Sequence, residues 1–173
     1  VGARSSSTGT PLAITGNTLR GWATSGTVTT VTGISSTGAV ASTVNLNSNL
    51  LGTASLDWIR YAVANSGTLT GINCTGATTA TTISIQSNNI RGITYSVAGS
   101  GANTYINITG ATATNVIATV ASNLFTNLDV NTTGAIIFIS HGYAIPSTGQ
   151  LIFNNNSIVT AYSRGGATGS VIL

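Results

Sequence analysis

The chain has 173 residues, enough for one domain with a sizeable core, and contains no Lys, Glu or Met. Its charges are Arg4, Arg20, Arg60, Arg91, Arg164, Asp57 and Asp129, a net +3 with no basic run, which predicts no nucleic-acid partner. Disorder is excluded by the low charge, a helical bundle by the missing Glu and Lys, and membrane insertion by the lack of a long apolar run.

The first element is PLAITGNTL. Leu12 and Ile14 alternate as in a strand with one buried face, Asn17 follows, and Leu19 and Trp22 resume the apolar pattern at odd offsets. TGISSTGAV then carries Ile34 into a second strand. The pattern returns with Val44, Leu46, Asn49 and Leu51, and Ala54 stands where Trp22 stood. LDWIRY comes next, in the longest unit, which predicts a loop. TGINCTGAT repeats the second strand at Ile72. Ile83, Ile85, Asn88, Ile90 and Ile93 repeat the first, and Ile106 the second. Ala118, Val120, Asn123, Phe125 and Leu128 follow. IIFISHG is a looser copy of the second strand, Leu151, Phe153, Asn156, Ile158 and Ala161 repeat the first, and the terminal SVIL begins another.

Asn17, Asn49, Asn88, Asn123 and Asn156 thus form one column, spaced by 32, 39, 35 and 33 residues. One such unit cannot bury its apolar face alone, but stacked units share a continuous core. The predicted fold is all-β: a parallel β-solenoid of about five coils, 32–39 residues each. It forms a single domain over 1–173, with repeats starting near 10, 42, 81, 116 and 149. Identical residues stack about 4.8 Å apart, which penalises Lys and Glu columns and suits an Asn ladder. Asn at an inward corner also tolerates a left-handed backbone.

TISIQSNNIRGI and LIFNNNSIVTAYS, with their Thr-Gly spacers, resemble right-handed parallel β-helix repeats. They are most similar to repeats of very large secreted surface proteins of gliding, Bacteroidota-type bacteria. The resemblance runs from Leu12 to Leu173. It implies an extracellular or cell-surface location and a role in adhesion, or as a filament or stalk, and it carries over no catalytic residue. The absence of a signal peptide, an initiator Met or a polar cap predicts a segment of a longer solenoid, or copies that associate end to end.

Chemistry is sparse. Two carboxylates in different repeat phases make a poor glycosidase pair, and too few for a Ca²⁺ site. His141, the only His, is expected at a turn before Pro146 and has no partner at metal-ligand spacing. Cys74 alternates with Ile72 and reads as a buried structural thiol. No cofactor, metal or catalytic residue is expected. Asn73, Asn107, Asn131 and Asn155 begin N-x-[ST] triplets, which matter only in a glycosylating host.

Apart from Arg4, every charge falls between 3 and 11 residues after a column Asn. Asp57, Trp58, Arg60 and Tyr61, with Arg20, Arg91 and Tyr95, are therefore the candidate ligand or partner residues. They suit either a clamp within the fold or a contact with a glycan or surface polymer. The functional expectation is a non-enzymatic extracellular scaffold with an adhesive face. The alternatives are a β-helix polysaccharide-degrading enzyme, a phage or viral fibre shaft, and an ice-binding solenoid. The last rests on Thr27 and Thr29 aligning with Thr68 and Thr70.

Overall fold

The computed structural model of the chain describes residues 3–5, 11–77, 79–110, 115–144, 146–166 and 169–172, without the side chains of 3–5, 110 and 161. The stretch 6–10, Leu173 and the side chains of Arg4 and Ala161 therefore lie outside the described residues.

The regular elements are all strands, and they follow the coils. The first coil holds β1 (Ala3–Ser5), β2 (Leu12–Ala13), β3 (Thr18–Leu19) and β4 (Trp22–Thr24). The second holds β5 (Val31–Ser36), β6 (Thr43–Asn45), β7 (Leu50–Leu51) and β8 (Ile59–Tyr61). The third holds β9 (Leu69–Cys74), β10 (Thr82–Gln86) and β11 (Asn89–Tyr95), and the fourth β12 (Asn103–Gly110), β13 (Ile117–Ala121) and β14 (Leu124–Asp129). The last holds β15 (Ile136–Tyr143), β16 (Gln150–Asn154) and β17 (Ser157–Ser163), followed by β18 (Val171–Ile172).

Three parallel sheets result. Sheet A runs β1-β5-β9-β12-β15-β18, sheet B runs β2-β6-β10-β13-β16, and sheet C runs β3-β7-β11-β14-β17. Strands β4 and β8 complete sheet C, with β8 between β4 and β11. The protein is a parallel β-solenoid. Its five Asn rungs bound about four full turns, one fewer than the five coils expected from counting repeats.

Each apolar column stacks in register. Leu12, Val44, Ile83, Ala118 and Leu151 form one column, and Leu19, Leu51, Ile90, Phe125 and Ile158 another. Ile34, Ile72, Ile106 and Ile139 form a third. The middle members are buried. Each such aliphatic side chain contributes roughly 1.5–3 kcal/mol by leaving water.

The Asn column is a continuous ladder. Asn17, Asn49, Asn88 and Asn123 each donate from Nδ2 to Oδ1 of the next Asn, at 2.9–3.0 Å. Their backbone N–H groups donate to the same oxygens at 2.9–3.1 Å. From Asn49 onward, Nδ2 also donates to a carbonyl of the coil before: Ile14, Leu46, Ile85 and Val120. The amides are saturated, so Asn49, Asn88 and Asn123 are buried without cost.

The left-handed residue at this corner is not the Asn but the one before it. Gly16 (φ 68°), Ser48 (57°), Ser87 (56°), Ser122 (56°) and Asn155 (52°) occupy the bend. The small preceding residue turns the chain and leaves the Asn free to point inward. A second left-handed column lies four residues after the Asn, at Gly21 (72°), Gly92 (65°), Asn127 (51°) and Thr160 (73°). A strand keeps period 2 only while its backbone stays extended. These two bends are why, in the third and fourth coils, the apolar residues at −3, +2 and +5 from the Asn face the core despite their odd separations.

Two alignments read from the sequence slip. In the second coil Ala54 is exposed, and Ile59 takes the place expected for it, between Trp22 and Ile93. Thr27 and Thr29 do not stand against Thr68 and Thr70. The register stacks Thr32, Thr70 and Thr104, and the column goes on as Ile137 and Ile172, so the Thr rank breaks there.

Candidate functional site

The second coil departs from the others between β7 and β8. Gly52 (φ 95°) starts the departure, and a Cβ there would lie 2.1 Å from the Arg91 carbonyl, so only glycine fits. Thr53 closes the excursion on itself. Its N–H donates to the Leu56 carbonyl (2.8 Å), and its Oγ1 accepts from the Leu56 N–H (3.1 Å). The chain then returns in register. Gly21 N–H donates to the Asp57 carbonyl (2.8 Å), Trp22 N–H to that of Trp58 (3.0 Å), and Trp58 N–H to that of Arg91 (3.2 Å). The predicted loop is thus residues 52–57, and IRY in LDWIRY is strand β8.

Loop 52–57 overhangs the first coil and forms a cleft of about 360 Å³, lined by Gly21, Trp22, Ala23, Ser55, Leu56, Asp57 and Arg60. Leu56 is 46 % exposed and Trp22 is half-buried. Asp57 is exposed, lies over Gly92, and accepts the Thr94 hydroxyl at Oδ2 (2.8 Å). Arg60 is exposed and is held through Nε to Ser96 Oγ (2.9 Å). Its two terminal nitrogens have no partner among the described residues. One concave site therefore holds an anion, a cation with free donors and part of an indole, a combination suited to hydroxyl-rich ligands.

The rings from the same stretch are elsewhere. Trp58 and Tyr61 are fully buried and Tyr95 is 6 % exposed, so of the two alternatives, a clamp within the fold or a ligand contact, these three rings fit the clamp. The reason is size: a ring hides 150–250 Å² only inside a core. Trp58 fills the space that Gly33 leaves in sheet A, where a Cβ would meet its Cζ2 at 2.9 Å. Its centroid lies 6.2 Å from that of Trp22. Tyr61 stacks on Tyr95 at 4.5 Å, and Tyr95 Oη donates to Asn103 Oδ1 (3.1 Å), clamping the second coil to the third.

The charges gather on sheet C. Arg60, Thr94, Asp129 and Ser163 are successive partners on its outer face, and Ser163 donates to Asp129 Oδ1 (2.6 Å). Through its bond to Thr94, Asp57 reaches the rung beside Asp129, so the two carboxylates are nearer than their coil numbers imply. Arg91 stands in the column of Thr126 and Val159. Arg20 precedes Gly21 of the cleft and is exposed.

His141 lies in strand β15, not in a turn, with its ring edge-on to Tyr143 and Phe153. Burial lowers its pKa. Cys74 is buried as expected, 3.7 Å from Tyr143 Oη two coils away. Burial pushes the thiol pKa from 9.0 up to about 11. Tyr61, Tyr95, Tyr105 and Tyr143 are raised too, chiefly by burial.

These shifts set the alkaline limit of the fold. Each group is an acid whose pKa is higher folded than unfolded. Its stabilising contribution is complete below the unfolded value and is lost as pH rises from there towards the folded value. Thermal melts are expected to be flat from neutrality to about pH 8.5, then to fall as Cys74 and, from about pH 10, the tyrosines ionise on unfolding. By about pH 11 the thiol alone costs roughly 2 kcal/mol. In Cys74→Ala, the onset of the fall should move up by more than one pH unit; an unmoved onset would exclude the thiol.

No protein-family model, curated protein or solved structure matches the chain.

Proposed function

We propose that this protein is a non-enzymatic extracellular scaffold, a stalk or adhesin segment at a cell surface, which contacts a glycan or surface polymer at the 52–57 cleft. The resemblance of its repeats to those of secreted surface proteins of gliding, Bacteroidota-type bacteria supports the location. The observation that carries the reading is the contrast between a stack tied by an uninterrupted Asn ladder and the excursion that leaves it. That excursion places Asp57, Arg60, Leu56 and the edge of Trp22 around one cleft. Arg60 keeps its terminal donors for sugar hydroxyls or carboxylates, Asp57 accepts from hydroxyls, and the apolar Leu56 and Trp22 suit the C–H face of a pyranose.

A glycan array, followed by titration of any bound glycan, tests the reading. Arg60→Ala is expected to weaken binding about tenfold or more, the loss of one charge-assisted hydrogen bond of roughly 1.5–3 kcal/mol. Asp57→Ala should act in the same direction. Both side chains are exposed, so the melting temperature should stay close to wild type. Unchanged binding in both variants would overturn the cleft assignment, and depolymerisation of a polysaccharide would replace the scaffold with an enzyme.

A further inference from the structure

The arginines whose side chains are described serve in two ways. Arg164 is spent inside the fold: Nη1 donates to the Gly169 carbonyl (2.8 Å), and Nη2 faces those of Thr132 and Gly134 (3.4 Å each). Arg20, Arg60 and Arg91 are not. Arg20 and Arg91 make no hydrogen bond or ion pair with any described residue, and Arg60 is held through Nε alone.

These three lie on one sheet and on three successive coils. Arg20 and Arg91 stand three residues after Asn17 and Asn88, each following an apolar residue packed on the core, Leu19 or Ile90. They therefore share the outer face of sheet C in the first and third coils, two rungs or about 10 Å apart along the axis. The second coil has Gly52 at that phase. From there loop 52–57 leans back onto the first coil, where a Cβ on Gly21 would lie 3.0 Å from Leu56 Cδ2. Arg60 then joins the sheet between Ala23 and Thr94, at the wall of the cleft.

Two carboxylates share this side, and neither pairs with these guanidinium groups. Asp57 accepts the Thr94 hydroxyl at Oδ2, and Asp129 that of Ser163 at Oδ1. Asp129 stands one rung beyond Thr94, in the fourth coil. The face is thus positive over the first three coils, with three arginines against Asp57, and turns negative at the fourth.

We infer that the polymer taken at the cleft is an acidic polysaccharide, a polyuronate, lying along the solenoid axis across the first three coils. Arg60 holds one carboxylate through its two terminal nitrogens, the end-on fork that its Nε bond to Ser96 leaves open. Arg20 and Arg91 take carboxylates of the same chain on either side. Rungs lie about 4.8 Å apart, close to the advance per sugar of an extended polysaccharide, so one chain passes all three arginines in a few sugars. A neutral glycan leaves all three guanidinium groups without a counter-charge, and a single small acid engages only one of them. Asp129 sets the limit of the site, because a polyanion running on to the fourth coil meets a like charge.

The inference rests on the cleft reading, and its test separates the two. The probes are polygalacturonate, its fully methyl-esterified form, and dextran sulfate as a polyanion without uronate groups. Titrations of the wild-type chain should show binding to polygalacturonate that weakens as salt rises, at least tenfold weaker binding to the neutral ester, and weaker binding to dextran sulfate. Arg60→Gln should lose about tenfold in affinity, and Arg20→Gln and Arg91→Gln about threefold each, as partly exposed ion pairs do. Arg4→Gln removes the same charge from strand β1 of sheet A and should leave binding unchanged. Melting temperatures report that each variant is folded. No binding to polygalacturonate, or equal binding of its neutral ester, overturns the acidic ligand; the ester result leaves the cleft reading standing. Dextran sulfate bound as tightly as polygalacturonate, or an Arg4→Gln loss equal to the others, would show attraction to net charge only and overturns it too. If Arg20→Gln and Arg91→Gln weaken polygalacturonate binding while Arg60→Gln and Asp57→Ala do not, the acidic ligand stands and the cleft reading fails.

Discussion

Asn88→Ala is expected to destabilise the fold by about 3–5 kcal/mol, from three buried polar groups stranded at roughly 1–3 kcal/mol each, without full additivity. The groups are named by the ladder. Asn49 loses the acceptor for its backbone N–H and for its Nδ2, and the Leu46 carbonyl loses its donor. Asn88 is fully buried, so water cannot replace the missing amide. Asn17→Ala removes the same chemistry at the first rung, where Nδ2 bonds the exposed Thr15 carbonyl and no rung donates to Oδ1. Its cost should be near 1 kcal/mol, the net worth of an ordinary hydrogen bond. Urea unfolding of the two variants separates the cases. Equal losses would mean that the ladder contributes through local corner geometry and not through its continuity.

The second large effect belongs to a residue with no side chain. Gly101→Ala should cost more than 3 kcal/mol or prevent folding, because its Cβ would lie 2.0 Å from the Gly67 carbonyl oxygen. The column repeats: a Cβ on Gly67 would meet the Thr29 carbonyl at 2.3 Å, one on Gly134 that of Gly101 at 2.4 Å, and one on Gly169 that of Thr133 at 2.3 Å. Each of these glycines stands two residues before a strand of sheet A. The obstacle is backbone on both sides, locked by the parallel strands, so neither partner can yield. Gly16→Ala is the control. Gly16 has φ 68° and nothing within 4 Å of a Cβ, so the variant bears only the left-handed penalty of roughly 1–2 kcal/mol. Comparable losses in circular-dichroism melts would refute the steric account.

Much of the fold was legible in five asparagines and their neighbours. The ladder bonds Asn to Asn as the column implies, and Ile34, Ile72 and Ile106 stack as their shared Thr-Gly context suggested. The left-handed corner was placed one residue late, although Gly16, Ser48, Ser87 and Ser122 show the small-residue signal beside each Asn. The glycine column was hidden because Gly and Thr are common throughout the chain. It emerges only when Gly67, Gly101 and Gly134 are counted from the start of the following strand and not from the Asn. The candidate site was half legible. The phase of Asp57 and Arg60 put them on one face correctly, but the same reading put Trp58 and Tyr61 beside them.

Repetition is a property of the sequence. A period near 35 residues with an amide and apolar residues at fixed phase has one economical solution, stacking, because each coil can satisfy its buried groups only against the next. That much the amino-acid order determined unaided. Which way a side chain points after an insertion is different. Between Gly52 and Asp57 the phase is lost, and it is recovered only where backbone hydrogen bonds to Gly21, Trp22 and Arg91 set Ile59 between Trp22 and Ile93. Those partners lie more than thirty residues away along the chain. The space behind Gly33 that draws Trp58 inward belongs to another sheet altogether. The tertiary structure alone decided that the indole and the tyrosines became core while Asp57 and Arg60 remained outside, because burial is settled by the neighbours a residue acquires and not by those it is synthesised beside.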